Sequence, residues 1–273
     1  MASTQIDIEI LVATMNRDNL DFLKPMFINN NIDDFNLLII NQTSSECLLK
    51  SDNKNIKIIN SLETGSPTSR NTAIKNATGS ICLFADDDII YLSSLEEKLV
   101  DAYKENNKAD IITFEAVDED DKRYFKYSNE GKHKDLEFRV NNIGISFLRE
   151  PIQKTNTLYN RHFGVGSTFP GCTEFVFMKN AWNNGLELYH KEVFIAKHPH
   201  VSSGKLQGSD NSITARTALR YRYYKWMSIP WLIKHLLAMV KLDYISFKDI
   251  FYKFNVGLKA IKKYRILESK GEV

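Results

Sequence analysis

Apolar runs rich in β-branched residues alternate with segments of helical spacing over the first hundred residues of the chain. This alternation is typical of βα units and predicts an α/β protein with a mostly parallel sheet flanked by helices. A helix is predicted from Ser66 to Ala77, because Pro67 stands at an early helical position and Gly79 follows the end. Strands are predicted at Ile8–Thr14, Phe35–Asn41, Ile56–Ile59, Ile81–Ala85 and Asp110–Phe114.

The rest of the chain changes character twice. Residues 115–149 are polar and weakly periodic, which predicts hairpins or irregular structure. A Gly-rich patch from Phe163 to Gly171 is expected to form a loop that leads into a helix near Glu174. After Gly208 the pattern is helical with many aromatic residues. We therefore expect an α/β domain over residues 1–208 and a helical C-terminal appendage over residues 209–273.

Charge is distributed unevenly along the 273 residues. The net charge is +2, yet residues 216–265 carry twelve Lys and Arg against two Asp, so the remaining residues are acidic. This segregation predicts a local basic surface and argues against a general polyanion binder. No recognised RNA or DNA motif accompanies the charge, so a nucleic-acid partner is not expected. The three widely spaced cysteines and the lack of a secretory signal at the first residues favour a cytoplasmic protein.

Three consecutive carboxylates, Asp86, Asp87 and Asp88, directly follow the apolar strand Ile81–Ala85. Adjacent carboxylates repel one another, so their position at the end of a central strand implies a bound cation. Oxygen ligands favour Mg²⁺ or Mn²⁺, which would bridge to a ligand such as a nucleoside diphosphate. The alternative is a solvated acidic turn that caps the next helix.

The segment from Thr64 to Asn71 lies one helix before the acidic triplet. Gly65 allows a ligand to approach the backbone closely, and Arg70 is placed to meet a phosphate or a base. An ordinary surface salt bridge is the alternative for Arg70.

Together these residues resemble glycosyltransferase family two. The resemblance rests on Gly65, Ser69-Arg70-Asn71, Ala77-Thr78-Gly79 and the run from Leu83 to Asp88, since in that family a strand-ending DxD motif follows a helix opened by an (A/S)RN motif. It covers about residues 6 to 205 and implies a Rossmann-like fold of the GT-A type.

The resemblance also implies how a nucleotide-sugar donor is bound. Val12–Arg17 is similar to the family's first strand and turn, which contacts the nucleotide. Asn41 stands where the family commonly has an Asp that accepts a hydrogen bond from uracil; an Asn oxygen can still accept, so a UDP-sugar is favoured. The implied donor-binding residues are Thr14, Asn16, Arg17, Asn41, Gly65, Arg70, Asp86 and Asp87.

The metal ligands implied by the family are Asp86, Asp88 and His198, holding Mn²⁺ or Mg²⁺. His198 lies in the stretch from Ala196 to Gly204 and is preferred to His200 from its place in the motif; an exposed histidine with a structural role is the alternative.

The resemblance implies an inverting transfer of a sugar to a hydroxyl group of a saccharide or a lipid-linked acceptor, in cell-surface polysaccharide assembly. Glu174 is the expected catalytic base, at the second position of a site where the family has two acidic residues and this chain has Thr173 first. A helix-capping role is the alternative for Glu174.

The basic, aromatic appendage predicts contact with a membrane surface, which would place the protein peripherally on the inner face of the cell membrane. Its apolar stretch is too short to cross a bilayer. The alternative is that its helices pack on the core or on a second subunit of a homo-oligomer.

Two other functions remain open from the sequence. A nucleotidyltransferase would need a Gly-rich phosphate loop with Lys or Arg soon after the first strand, and residues 12–19 lack one. A catalytically degenerate scaffold that binds sugar or membrane is kept open by Thr173 and Asn41. A P-loop kinase or ATPase is disfavoured because the chain lacks the GxxxxGK motif followed by Ser or Thr.

Overall fold

A computed structural model of the chain describes residues 7–134, 138–198 and 207–273. They form two compact units: the described residues of Met1–Tyr159 with Phe177–His200, and those of Asn160–Val176 with Val201–Val273. The predicted boundary at residue 208 had placed residues 160–176 in the first domain. The structure groups them with the C-terminal helices instead, because Phe163 and Phe169 are buried in the same apolar cluster as Tyr264.

The first unit is built on a nine-stranded sheet, and one side of it is parallel. Its order is β3-β2-β1-β4, with all three pairings parallel. The apolar residues of β1, β2 and β4 are almost all buried, as expected of a parallel sheet covered on both faces. The bounds are β1 Ile8–Met15, β2 Asn36–Gln42, β3 Ile56–Ser61 and β4 Ile81–Asp86.

The other side of the sheet is mixed. After β4 the order continues β8-β6-β9-β5, and β7 pairs with β9. β8 runs antiparallel to both β4 and β6, whereas β6 and β9 are parallel. The bounds are β5 Ile90–Tyr91, β6 Ile111–Val117, β7 Gly131–Lys132, β8 Ile145–Leu148 and β9 Leu188–Lys197.

All five predicted strands are present, and the mostly parallel α/β architecture is confirmed. The predicted helix from Ser66 and the loop that leads into a helix near Glu174 are also present. β9 and the helix α3 had not been predicted. The helices here are α1 Leu23–Met26, α2 Ser66–Asn76, α3 Leu95–Glu105, α4 Arg149–Lys154 and α5 Thr173–Asn183, which begins in the second unit; 3-10 turns lie at Ile32–Asp34 and Asn142–Gly144.

The order of the parallel strands creates a switch point between β1 and β4. The chain moves outward from β1 to β2 and β3, then returns through α2 to β4 on the other side of β1. At the carboxyl ends of the two strands, Ala13 pairs with Asp86. Ligands of open α/β sheets bind at such points, so the topology places the acidic triplet at the expected ligand site.

The approach to β4 is fixed by a buried carboxylate. Glu9 of β1 accepts hydrogen bonds from the backbone N–H groups of Thr78 and Gly79, at 2.6 and 2.9 Å. A Cβ atom on Gly79 would lie 2.5 Å from the Cβ of Glu9, so only glycine fits. This contact ties the turn before β4 to β1.

The second unit is helical, as predicted for the C-terminal appendage. One buried cluster contains Phe163, Phe169 and Tyr264, and another contains Leu232, Leu236 and Met239 on one face of α7. Within the three described ranges, no helix has both the length and the apolar content to cross a membrane. The bounds are α6 Asp210–Tyr224, α7 Ser228–Lys241 and α8 Ile250–Ser269, with 3-10 turns at Lys225–Met227 and Phe247–Asp249.

Candidate active site

The acidic triplet lies where β4 ends, and its middle carboxylate is bound to the end of β1. Asp87 Oδ2 accepts hydrogen bonds from Thr14 Oγ1 at 2.6 Å and from Arg17 Nε at 2.7 Å. Thr14 is buried, whereas the side chain of Arg17 is 44% exposed. The structure thus brings together three of the predicted donor-binding residues.

Arg70 is a buried cation at the same edge. Its Nη2 lies 3.1 Å from Asp86 Oδ1, and only 8% of its side chain is exposed. The guanidinium carbon also lies 5.8 Å from the centre of the Tyr159 ring. This geometry differs from that of an ordinary surface salt bridge, because a buried Arg is held in one orientation toward the triplet.

The helix that carries Arg70 begins at a glycine with a positive φ angle. Gly65 has φ of +111°, a region that side chains rarely adopt, and its carbonyl accepts the N–H groups of Thr68 and Ser69. Asn71, one residue after Arg70, donates to the carbonyl of Tyr159 at 2.9 Å and accepts from its N–H at 2.8 Å. The helix therefore also positions the ring beside Arg70.

Asp88 is the carboxylate of the triplet that lies near His198. Its Oδ1 is 3.9 Å from His198 Nε2, and its side chain is 53% exposed. Burial raises the pKa of Asp88, His198 lowers it, and the neighbouring Asp86 and Asp87 raise it further. A cation bound here would relieve that unfavourable charge, and carboxylate oxygens are the ligands that Mg²⁺ and Mn²⁺ favour.

His198 directly follows β9. Its backbone N–H donates to the carbonyl of Val117, and its ring lies 4.9 Å from the ring of Tyr124. Across residues 7–134, 138–198 and 207–273, no three His, Cys, Asp or Glu side chains are grouped so as to hold a metal ion by themselves. The predicted ligand Asp86 has Arg70 as its partner, and His200 lies outside the described residues.

The turn after β1 has a left-handed residue, Asn16, with φ of +53°. Its N–H donates to the carbonyl of Gln42 at 2.9 Å, which holds the turn against the end of β2. Asn is one of the few residues that adopt this conformation readily. Asn16 is exposed, and its backbone has a positioning role in this structure.

Asn41 is completely buried. Its Oδ1 accepts from the N–H of Arg17 at 3.2 Å, while its Nδ2 donates to the carbonyl of Arg17 at 2.9 Å and to Asn60 Oδ1 at 3.0 Å. Its amide oxygen and amide nitrogen are thus both bound within the protein, and the side chain is closed off from solvent. The environment of Asn41 therefore differs from the one that the resemblance implied.

Glu174 lies in the first turn of α5, within the second unit. It is half-buried, and a carboxylate is favoured there by the positive end of the helix dipole. The preceding Thr173 is buried.

Two residues at this edge were missed by sequence reasoning. Asn60 pairs with Asn41 in the β2–β3 register. Two Asn residues near the ends of adjacent apolar strands are a sequence signal that could have identified Asn60. Tyr159 belongs to no sequence motif. Only the fold brings its ring close to Arg70.

The sequence matches the family described as glycosyl transferase family 2 over residues 8–176. This range contains every predicted site residue except His198. No curated protein matches the sequence.

Solved structures of TarS from S. aureus share the fold. A structure of its residues 1–349 has a TM-score of 0.52 at 12% identity, covering 97% of this chain and 92% of that one. The same fragment in complex with UDP matches with a TM-score of 0.53 at 12% identity, and in complex with UDP-GlcNAc with 0.53 at 11%; coverage is again 97% and 92% for both. Identities this low establish likeness of fold alone.

Proposed function

This chain belongs to glycosyl transferase family 2 and is a glycosyltransferase, and we propose that it moves a sugar from a UDP-sugar to a hydroxyl group of a saccharide or lipid-linked acceptor. The observation that carries this proposal is the acidic triplet at the β1–β4 switch point, with Arg17 and Arg70 bound to it. In such a site the two guanidinium groups can pair with a diphosphate, and the three carboxylates can pair with a metal ion. The UDP and UDP-GlcNAc complexes of TarS, which has the same fold, support a nucleotide-sugar donor.

For the metal, we propose Mn²⁺ or Mg²⁺ held by Asp88 and His198, with Asp86 adjacent. A bound divalent ion supplies charge neutralisation for the diphosphate as it leaves. Arg70 beside Asp86 and Arg17 beside Asp87 would orient that diphosphate, and Thr14 would keep Asp87 in place. Asn71 would hold Tyr159 in place, and the Tyr159 ring would in turn hold the Arg70 guanidinium.

For the base, we propose that the Glu174 carboxylate removes the proton from the acceptor hydroxyl as it attacks the anomeric carbon, with inversion. A single base suffices because no covalent sugar–enzyme intermediate forms. A positioned general base contributes about 10²–10⁴ fold to the rate.

The test is release of UDP from UDP-sugars in the presence of candidate saccharide acceptors, for the wild type and for Glu174→Gln. Wild-type turnover on one acceptor, lost by about 10²–10⁴ fold in the variant while UDP affinity is retained, is the expected result. Full turnover in Glu174→Gln would remove this residue from the base role. No release with any UDP-sugar would contradict the proposed donor.

The proposal that the product enters cell-surface polysaccharide assembly is supported by the family resemblance. It is tested by deleting the gene and analysing the sugar composition and linkages of the surface polysaccharide. An unchanged polysaccharide would count against it.

We also propose that the second unit binds an anionic membrane surface through α7. On this helix Leu232, Leu236 and Met239 are buried, yet Ile229, Ile233 and Leu237 form a second apolar line that is 40%, 48% and 52% exposed. Residues spaced by four lie on one face of a helix, so these three form a continuous stripe.

Charge and aromatic residues around the stripe favour a lipid surface over other occupants. Lys234 and Lys241 of α7 are exposed, and Trp226, just before the helix, is 72% exposed. Basic residues flanking an apolar face are attracted to anionic headgroups, and Trp favours the interface. Such contact would bring the enzyme to a lipid-linked acceptor and would place it peripherally on the inner face of the cell membrane.

Flotation with neutral phosphatidylcholine vesicles, and with vesicles that also contain phosphatidylserine, tests this surface. The wild type should float with the anionic vesicles only, and the double variant Ile233→Glu, Leu237→Glu should not float. Ile28→Glu, a matched change at a site 72% exposed in the first unit, should float like the wild type. A different result would be a wild type that fails to float and forms a dimer that is lost in the double variant. That result would show that the stripe contacts a second copy of the chain.

A further inference from the structure

Asn41 forms a two-point pairing with the backbone of Arg17. Its amide oxygen accepts from the Arg17 N–H and its amide nitrogen donates to the Arg17 carbonyl, at 3.2 and 2.9 Å. The orientation of the amide is determined by these partners, because a backbone N–H can only donate and a carbonyl can only accept. The Asn41 amide thus forms the two hydrogen bonds that a peptide group of a neighbouring strand would otherwise form with Arg17.

Asn60 repeats the arrangement one strand further along. It accepts from the N–H of Leu49 at 3.0 Å and donates to the carbonyl of Leu49 at 2.9 Å. Asn41 and Asn60 are partners in the β2–β3 register, and Asn41 Nδ2 donates to Asn60 Oδ1 at 3.0 Å. The two amides therefore join the turn after β1, the loop after β2 and the end of β3 into one hydrogen-bonded chain.

The turn held by this amide chain carries a functional side chain. Arg17 is fixed through its backbone by Asn41 and through its guanidinium by Asp87 of the acidic triplet. Loss of the backbone contacts would leave Arg17 held by its half-exposed side-chain ion pair, and the rest of the turn held by the Asn16 N–H bond to the Gln42 carbonyl. An exposed ion pair alone contributes little to a fixed geometry.

We propose that Asn41 is a positioning residue of the donor site, which orders the Arg17 turn and, through Asn60, the Leu49 loop. This inference rests on the proposed function for its link to UDP. It also gives a physical reason for the departure from the Asp that the resemblance implies. A carboxylate at position 41 would put acceptor oxygens against the Arg17 carbonyl and Asn60 Oδ1, and would bury a charge.

The proposal makes a prediction that runs against the family pattern. Asn41→Asp, which restores the commonly found residue, should weaken UDP binding in the presence of Mn²⁺ by on the order of tenfold or more, because two buried hydrogen bonds become acceptor–acceptor contacts. The donor KM should rise by a similar factor, while kcat at saturating donor changes little. Asn19→Asp adds the same charge to the exposed part of the same loop and should change UDP affinity by less than about twofold.

Hydrogen exchange of the ligand-free protein gives a readout that does not depend on the donor. Peptides that contain Arg17 and Leu49 should exchange faster in Asn41→Asp, whereas peptides from β4 and α3 should not. If Asn41→Asp does not fold, Asn60→Ala is the second variant: it should speed exchange near Leu49 more than near Arg17, because both bonds from Asn41 to Arg17 remain.

UDP affinity equal to or above the wild type in Asn41→Asp would overturn the proposal. Unchanged exchange near Arg17 would overturn it as well. If the wild type itself binds no UDP, the proposed function fails, and hydrogen exchange alone then decides the role of Asn41.

Discussion

Two polar clusters of the first unit use the same kinds of side chain and differ in where they lie on the sheet. The edge cluster contains the acidic triplet with Arg17, Arg70 and His198, at the carboxyl end of β4. The buried cluster lies between β6 and β9 and contains Thr113, Glu115, His133 and His190, with Arg123 at its border. Each cluster combines carboxylate, imidazole and guanidinium groups.

The two clusters differ in how far their side chains are exposed to solvent. The side chain of Asp88 is 53% exposed, whereas those of Glu115 and His190 are not exposed at all. Within the buried cluster, Thr113 Oγ1 lies 3.0 Å from His133 Nε2 and 2.9 Å from His190 Nδ1. Residue types alone therefore do not identify a site: only the edge cluster is accessible to a ligand from solvent, whereas the buried cluster is enclosed.

A substitution in the edge cluster should have the greatest effect on turnover. Asp88→Asn should lower turnover by about 10²–10³ fold, because a metal ligand and a charge are lost. Its free energy of unfolding should be unchanged or higher, since burial and two like charges disfavour the Asp88 carboxylate. Enzyme assay and thermal melting check both parts; an active, destabilised variant would contradict this assignment.

The opposite pattern is expected in the buried cluster. His190→Ala should lower the free energy of unfolding by about 2–3 kcal/mol, because it leaves a cavity and removes partners of Thr113 and Glu115. Turnover per folded molecule should remain that of the wild type. Urea unfolding and an assay normalised to folded protein measure the two; a large loss of turnover would place His190 in the chemistry.

Lowering the pH should lower the free energy of unfolding through the histidines of the buried cluster. Burial lowers the pKa of His133 and of His190 to about 4. Between about pH 6.5 and 4 the unfolded chain binds more protons, so stability is lost as the pH falls through this window. From pH 7 to 5 the loss should be about 2 kcal/mol for each histidine. Glu115 opposes it, because burial raises the pKa of its carboxyl.

His190→Ala provides the control for that pH dependence. Urea unfolding of the variant between pH 7 and 5 should show a smaller slope than the wild type. Equal slopes would show that other groups cause the acid sensitivity.

The smallest effect is expected at the border of the buried cluster. Arg123 Nη2 lies 3.7 Å from Glu192 Oε2, and both side chains are more than 40% exposed. Glu192→Gln should change the free energy of unfolding by less than about 0.5 kcal/mol, because solvent screens the pair. Urea unfolding is again the measurement, and a change above 1 kcal/mol would show that the border is coupled to the buried residues.

The same contrast explains what could be predicted from the sequence. The parallel strands β1 to β4 are short apolar runs of local pattern, and the acidic triplet follows one of them directly, so both were predicted. β9 had not been predicted, since it mixes Lys191 and Glu192 with apolar residues and pairs with β6 across a long separation in sequence. The buried cluster depends on that pairing and gave no local signal.

Asn41 shows a different limit. Its position at the end of β2 was predicted, but its role depends on which groups face it. The N–H and carbonyl of Arg17 and the oxygen of Asn60 come together only when three strands are in register. An unusual residue at a family position can thus mark a change in local hydrogen bonding.

The central claim is that the edge cluster binds the diphosphate of a nucleotide donor together with a divalent ion. Titration calorimetry of UDP into the wild-type protein, with Mn²⁺ and then with EDTA, tests it most directly. We expect one UDP to bind per chain, and we expect binding to require the metal ion. Binding that is equally strong in EDTA, or no binding in either condition, would contradict it.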